Sequence, residues 1–460
     1  MKLLKITFAA VFALAFGNAY AFHSGGVADC EGCHSMHNSF ENSANVTGMA
    51  QFSSGPYLLK AQDQSGACLN CHDSADAAGA GYHISTHGSF GVGTTAAPVE
   101  GKPGGDFAWL KMTMTGKVRG SPFTADGDRH GHNIVAVDFG YSADKIQTVA
   151  PGGSYPASAL ACSSCHDPHG RYRRLANGTQ VAPGVGQNNA GLNLLPIFGS
   201  GSYGNGTGTQ GGAAYPAAGQ SAAGVYRILG GVGYQPKSLA GSFGFANPAP
   251  DAVAPSSYDK GFNPALLTGG ETSNSDPTKQ VVVAYGKGMS EWCANCHTAM
   301  LENSYTSGMK GLVHPAGNSS KITATIAANY NAYVTSGVFT NVAGSYSNLA
   351  AFENGSNDYV ALKAFVTAPS AADTTKNVAC VSCHRAHASG FDSMVRFYLG
   401  NEFMTVSDAS GAALYDSSTT ENKINNGYSV AQQQAAYYGR PATVFGPYAR
   451  NYCNKCHAKD

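Results

Sequence analysis

The sequence predicts an irregular fold, mostly coil with short helices and little β structure. Three observations predict it. Gly supplies 58 of 460 residues, and only 12% of residues are charged. Few windows sustain either the 3.6-residue or the two-residue apolar period. All 12 Cys fall into six C-x-x-C pairs, each followed at once by His. Such a chain has few regular apolar faces of its own, so its core is expected to come from what the cysteines bind.

From the N-terminus, Lys2 and Lys5 precede an apolar run from Ile6 to Phe16, and Ala19-Tyr20-Ala21 has the small-x-small form of a cleavage site. Residues 1–21 therefore read as a secretory signal peptide, and residues 22–460 as one mature unit. The run is short for a membrane anchor, and no later stretch holds the roughly 18 apolar residues of a helical span. No Cys follows the cleavage site, so a lipoprotein anchor is not expected. A net charge of zero gives a nucleic-acid partner no electrostatic support.

The pairs are Cys30/Cys33, Cys68/Cys71, Cys162/Cys165, Cys293/Cys296, Cys380/Cys383 and Cys453/Cys456. The His residues that follow them are His34, His72, His166, His297, His384 and His457. C-x-x-C-H is the c-type haem attachment motif. Two thiols form thioethers to the vinyl groups, and the adjacent imidazole reaches the iron from the same face. Disulfides, zinc knuckles and thioredoxin-like redox pairs are the alternatives. A chance C-x-x-C gains a following His about once in 30 at this His content, so six of six decides for haem attachment. The expected cofactor is six covalently bound haem c.

Nine His remain for the second axial place: His23, His37, His83, His87, His130, His132, His169, His314 and His387. That is enough for bis-histidine iron at every site. Met also ligates haem iron and raises its potential, but no Met recurs at a fixed offset here. His37, His169 and His387 each lie three residues past an attachment His. A His so placed cannot pass its own macrocycle, but it can reach the iron of a neighbouring haem, so the motif signals haems packed closely. His83, His132 and His314 lie in the long intervals between motifs, and His23 stands at the mature N-terminus. His87 and His130, beside better candidates, read as exposed residues that hydrogen-bond a propionate.

The first Cys of successive motifs are separated by 38, 94, 131, 87 and 73 residues, which is no solenoid period. Asn177–Ala223, rich in Gly, Ala, Asn and Gln, reads as a long surface loop, and Leu266–Lys279 as a second polar region. Helix is expected at 321–335, 358–366 and 429–438, with short helical turns at the attachment sites. The 24 Tyr and 21 Phe read as residues that pack the haems and pin loops. The haems are expected to supply the core and the cross-links, so that binding energy becomes folding energy.

Eleven segments then point to a family: FHSGGVADCEGCHSMHNS, YHIST, PGGDFAWLK, GHNIVA, CSSCHDPHGRYRR, YRILGGVGYQPKSLAGSF, SEWCANCH, HPAGN, CHRAHASGFDSM, AAYYGR and CNKCHAKD. In them the chain resembles the OmcS-type hexahaem outer-surface cytochromes of metal-reducing bacteria, which polymerise into conductive filaments. The resemblance implies a mostly coil chain wrapped around a continuous stack of six bis-histidine haems. It implies that His37 ligates a haem of the next subunit, the fifth, carried by His384. It matches His23, His83, His132, His169, His314 and His387 to the family's other shared positions, which makes seven candidates for six distal places. Asn177–Ala223 is longer than in the best-known member.

The expected function is long-range extracellular electron transfer by a head-to-tail homopolymer. Its further partners would be other cytochromes and extracellular acceptors such as metal oxides. The protein would be exported through the periplasm to the cell outer surface. A non-polymeric shuttle is the first alternative and a multihaem reductase the second. Against the reductase, all six motifs end in His, and no nucleophilic Cys is left over. No catalytic residue is therefore expected.

Overall fold

A computed structural model of the chain describes residues 30–35, 56–73, 83–86, 98, 104–118, 121–168, 173–174, 180–181, 229–239, 241, 243–250, 252–253, 284–301, 314–335, 350–358, 361–362, 364–365, 371–400, 402–415, 430–437 and 442–457. The signal peptide, Leu266–Lys279 and nearly all of Asn177–Ala223 lie outside the described residues. Mostly coil with short helices and little β structure is what the chain forms. The strands make four separate antiparallel pairs: β1 (Met114–Val118) with β2 (Ser121–Ala125), β3 (Arg173–Arg174) with β4 (Gln180–Val181), β5 (Ala252–Val253) with β6 (Ala284–Tyr285), and β7 (Val406–Ser407) with β8 (Ala413–Leu414).

Six of the described α-helices carry attachment Cys: α1 (Cys30–Cys33), α2 (Gln64–His72), α3 (Cys162–Cys165), α4 (Met289–Cys293), α6 (Cys380–Cys383) and α8 (Cys453–Cys456). The other two are α5 (Ala324–Thr335) and α7 (Val430–Ala436), both inside segments expected to be helical. The Thr323 hydroxyl accepts the Ile326 N–H (3.2 Å) at the start of α5 and sets that boundary. In the third expected segment, Asp358 accepts the Ala361 N–H on its carboxylate (2.8 Å) and the Leu362 N–H on its carbonyl (3.0 Å), which starts a helical turn.

The polypeptide adds apolar clusters of its own to the core expected from the haems. One gathers Leu69, Phe107, Ile134 and Tyr141; a second, Tyr234, Phe245, Met289 and Trp292; the largest, Tyr330, Phe391, Phe397, Tyr415, Tyr437 and Phe445. Aromatic rings dominate because a coil-rich chain buries most area per ordered residue with large flat side chains. Phe397 stacks on Tyr452 at 4.9 Å, and Tyr415 on Tyr437 at 5.3 Å. The loop-pinning expected of Tyr is visible too. The Tyr234 hydroxyl donates to the Ser163 carbonyl (2.5 Å), and that of Tyr452 to the Ser382 carbonyl (2.6 Å), both on attachment helices. Among the described residues, no helix is long and apolar enough to cross a membrane.

Candidate haem centres

The attachment motifs are helical, and four of them close the turn with their own backbone. The His N–H donates to the carbonyl of the first Cys at four sites: His166 to Cys162 (3.0 Å), and His297 to Cys293, His384 to Cys380 and His457 to Cys453 (2.9 Å each). The turn brings both thiols and the imidazole to one side. In α3 and α6 the residue before the second Cys is Ser, and its hydroxyl accepts the N–H that precedes the helix. Ser164 accepts from Ala161 (2.8 Å) and Ser382 from Ala379 (3.0 Å), satisfying a donor that a short helix leaves open.

The imidazoles are held at Nδ1 by backbone carbonyls, so Nδ1 carries the proton and Nε2 presents a lone pair. His34 donates to Tyr57 (2.9 Å), His297 to Pro151 (2.8 Å) and His384 to Ser393 (2.8 Å). Three of the expected second ligands do the same: His132 to Ala386 (2.7 Å), His314 to Pro315 (2.9 Å) and His387 to Gly105 (3.2 Å). A carbonyl that accepts from Nδ1 in this way orients a metal-ligating His. Gly105 has φ +91°, and a Cβ there would sit 1.9 Å from the Ala388 carbonyl oxygen, so glycine alone lets this segment reach His387. Burial pushes His132 down to about 4 and His387 to about 3, with a neighbouring imidazole adding to each effect. Both rings are therefore neutral, which is the form that binds metal.

Three ring pairs follow. His132 and His297 lie 6.0 Å apart between centroids, His166 and His387 6.3 Å, and His314 and His457 6.0 Å. Two metal–imidazole bonds of about 2 Å, with about 1 Å more from each nitrogen to its ring centre, span roughly 6 Å. The pairs fit one iron each, with one ring from an attachment motif and the other from elsewhere in the chain. The thiols of consecutive sites are also electrostatic neighbours: Cys33 and Cys68, Cys68 and Cys162, Cys165 and Cys296, Cys293 and Cys380, Cys383 and Cys453. The six sites therefore succeed one another in space as they do in sequence.

All six attachment His are described, as are eleven of the twelve Cys side chains. Cys71 stands apart from most of the other described thiols. It is exposed, as is Cys453, whereas the other described thiols are partly buried. The reason lies in the helix that carries it. Helix α2 buries Ser65, Gly66, Ala67 and Leu69 against the rest of the chain, and Cys71 stands beyond them in its last turn.

His23, His37, His87 and His169 lie outside the described residues. His83 is buried, and the N–H of its neighbour Ile84 donates to the His72 carbonyl (2.9 Å). His130 corrects an expectation. It was expected to be exposed, but it is 0% exposed, with Nδ1 on the Trp109 carbonyl (3.1 Å) and Nε2 3.7 Å from Asp392 Oδ1. Sequence reasoning also missed Tyr57 (φ 61°) and Ser393 (φ 57°), left-handed residues whose carbonyls hold His34 and His384. Neither is Gly, so no residue type announced those turns.

No protein-family model matches the chain. It is 50% identical, over 467 aligned positions spanning 100% of this chain and 99% of the relative, to the C-type cytochrome OmcS of Geobacter sulfurreducens. Two solved structures from that organism are similar: a cryo-EM structure of OmcS nanowires (TM-score 0.75) and an outer membrane cytochrome S filament (TM-score 0.74). Each is 49% identical, with 95% of this chain and 100% of the other covered.

Proposed function

Because the chain belongs to the OmcS-type c-type cytochromes, we propose that it is a secreted six-haem electron carrier whose copies join head to tail into a filament that delivers electrons outside the cell. Residues 1–21 act as the export signal and 22–460 as a single cytochrome unit. The observation that carries the reading is the set of three imidazole pairs at 6.0–6.3 Å. The OmcS relative supports the filament, since its solved structures are of nanowires and of a filament.

The observed pairs follow an order that supplies the rest. His387, past the fifth attachment His, faces His166 of the third site. His132, ahead of the third site, faces His297 of the fourth, and His314, ahead of the fifth, faces His457 of the sixth. Moved back two sites, the same order gives His169 to His34 and His23 to His72. Moved back once more, His37 finds no earlier site in its own chain, and the place left for it is opposite His384 of a second copy. His83 is then the seventh candidate, left over.

When bound, a haem supplies a one-electron iron couple. At three sites the chain would hold an iron between two of its own imidazoles, His132 and His297, His166 and His387, and His314 and His457, which would leave no position there for a substrate and speaks against a reductase. The Nδ1 anchors of His132, His297, His314 and His387 fix ring orientation, and burial shields His132 and His387 from water. Negative-stain images of the secreted protein test the proposal. Filaments are expected; single particles with six low-spin haems would make it a shuttle. A strong high-spin ferric signal in native filaments would mean an open iron.

A further inference from the structure

The even and odd attachment sites have different signatures. Sites two and four read S-x-x-C-x-N-C-H, at Ser65–His72 and Ser290–His297. Sites three and five read A-C-x-S-C-H, at Ala161–His166 and Ala379–His384. The structure joins one kind to the other in the same way twice. The Ser65 hydroxyl accepts the Cys162 N–H at 3.1 Å, tying α2 to α3. The Ser290 hydroxyl accepts the Cys380 N–H at 3.0 Å, tying α4 to α6. Both serines stand three residues before the first Cys of their own motif, and both are buried, at 0% and 1% exposed. At each contact the first thiols of the two motifs come within hydrogen-bonding reach, Cys68 of Cys162 and Cys293 of Cys380. The contact also meets a backbone need. The amide of the first Cys is among the donors that a one-turn helix cannot satisfy itself.

We propose that Ser65 and Ser290 are positioning residues: each latches two successive attachment helices together and so sets the spacing of the two haems they carry. The inference rests on the electron-carrier reading above. Electron exchange between two centres weakens steeply with their separation, so a hydrogen bond that clamps the attachment backbones acts directly on that function. The latch is absent at the chain ends. Arg450 stands where the serine would be in site six, and Val27 where it would be in site one. Junctions two-to-three and four-to-five are therefore clamped within one chain, and the junction between subunits relies on other contacts.

The test uses secreted holoprotein carrying Ser65→Ala, Ser290→Ala, both changes, or Ser65→Thr. Circular dichroism in the Soret band reports the coupling between close haems. The couplet is expected to shrink in each single Ala variant, to shrink further in the double variant, and to persist in Ser65→Thr, which keeps the acceptor oxygen. Exchange of the Cys162 amide in Ser65→Ala should be about fivefold faster, the factor for a net hydrogen bond of about 1 kcal/mol. An unchanged couplet at full haem content in the double Ala variant overturns the latch. Rapid exchange of the Cys162 and Cys380 amides in the unsubstituted protein also overturns it, without requiring any variant to fold. Haem content by mass is read on the same samples. Fewer than six haems in the unsubstituted protein overturns the electron-carrier reading instead.

Discussion

The imidazoles of His132 and His297 face each other at 6.0 Å, tilted by 40°, each tied at Nδ1 to a carbonyl from a distant part of the chain. His132 donates to Ala386, beside the fifth site, and His297 to Pro151, ahead of the third. One ring pair thus fastens three segments that the sequence keeps far apart. The pairing itself could not be read from spacing, because nothing local links residue 132 to residue 297.

Replacing His132 should open one iron and nothing else. His132→Ala is expected to keep six covalent haems by mass while one ferric haem turns high-spin in the EPR spectrum. His130→Gln, two residues away, should leave every haem low-spin, because its Nε2 faces Asp392. A high-spin signal from His130→Gln, or none from His132→Ala, would contradict the assignment of this pair.

His37→Ala should leave six haems attached, open one iron in each subunit and prevent filament growth, as seen in negative-stain images. A head-to-tail contact between unlike ends makes an open polymer, and an imidazole crossing it would fix the register. The matching change His387→Ala acts inside the subunit instead. Its ring faces His166, so filaments should still form while the third site gains the high-spin signal.

The helical C-x-x-C-H motifs were legible in the sequence because the pattern is local, and four of them close their own turn. The exposure of Cys71 was not, because it depends on which side of α2 the rest of the chain covers. The pattern C-x-x-C-H-x-x-H was legible only as a His offered away from its own motif; His387 lies opposite His166 of another motif. The burial of His130 was not legible. It depends on Trp109 and Asp392, one 21 residues before it and the other far downstream, on the fifth-site loop. The left-handed Tyr57–Leu58 and Ser393–Met394 turns were hidden because non-Gly residues occupy them. The aromatic clusters escaped because their members, such as Phe397 and Tyr452, follow no period.

Changing Cys162 and Cys165 together to Ala should abolish accumulation of the secreted protein. Helix α3 touches α2 through Ser65 and is pinned by Tyr234, so an empty third site would unseat both contacts. The apolar clusters are small beside a 460-residue chain, and binding energy is expected to carry much of the folding. Immunoblots of secreted protein after limited proteolysis check this, and abundant resistant protein would show that the clusters suffice alone.

Glu353 gives the fold a pH dependence that belongs to no haem ligand. Its side chain is 0% exposed, and Oε1 accepts the Met289 N–H at 2.7 Å, at the start of α4. Its backbone exchanges two hydrogen bonds with Asn377, each 3.0 Å, ahead of the fifth site. Burial first, then the nearby Glu291 carboxylate, push the carboxyl from 4.5 up to about 7, against the hydrogen bonds that favour its charged form. The folded chain therefore keeps this proton to about pH 7, whereas the unfolded chain releases it near 4.5. Between those values the unfolded state binds fewer protons, so stability is full below pH 4.5 and falls as pH rises, by about 3 kcal/mol across the window. Glu353→Gln keeps an acceptor for Met289 and cannot ionise. Denaturant unfolding of the two holoproteins from pH 4 to pH 8 should show near-equal stability at the acid end. The Gln variant should be more stable at the alkaline end, and parallel curves would place the proton elsewhere.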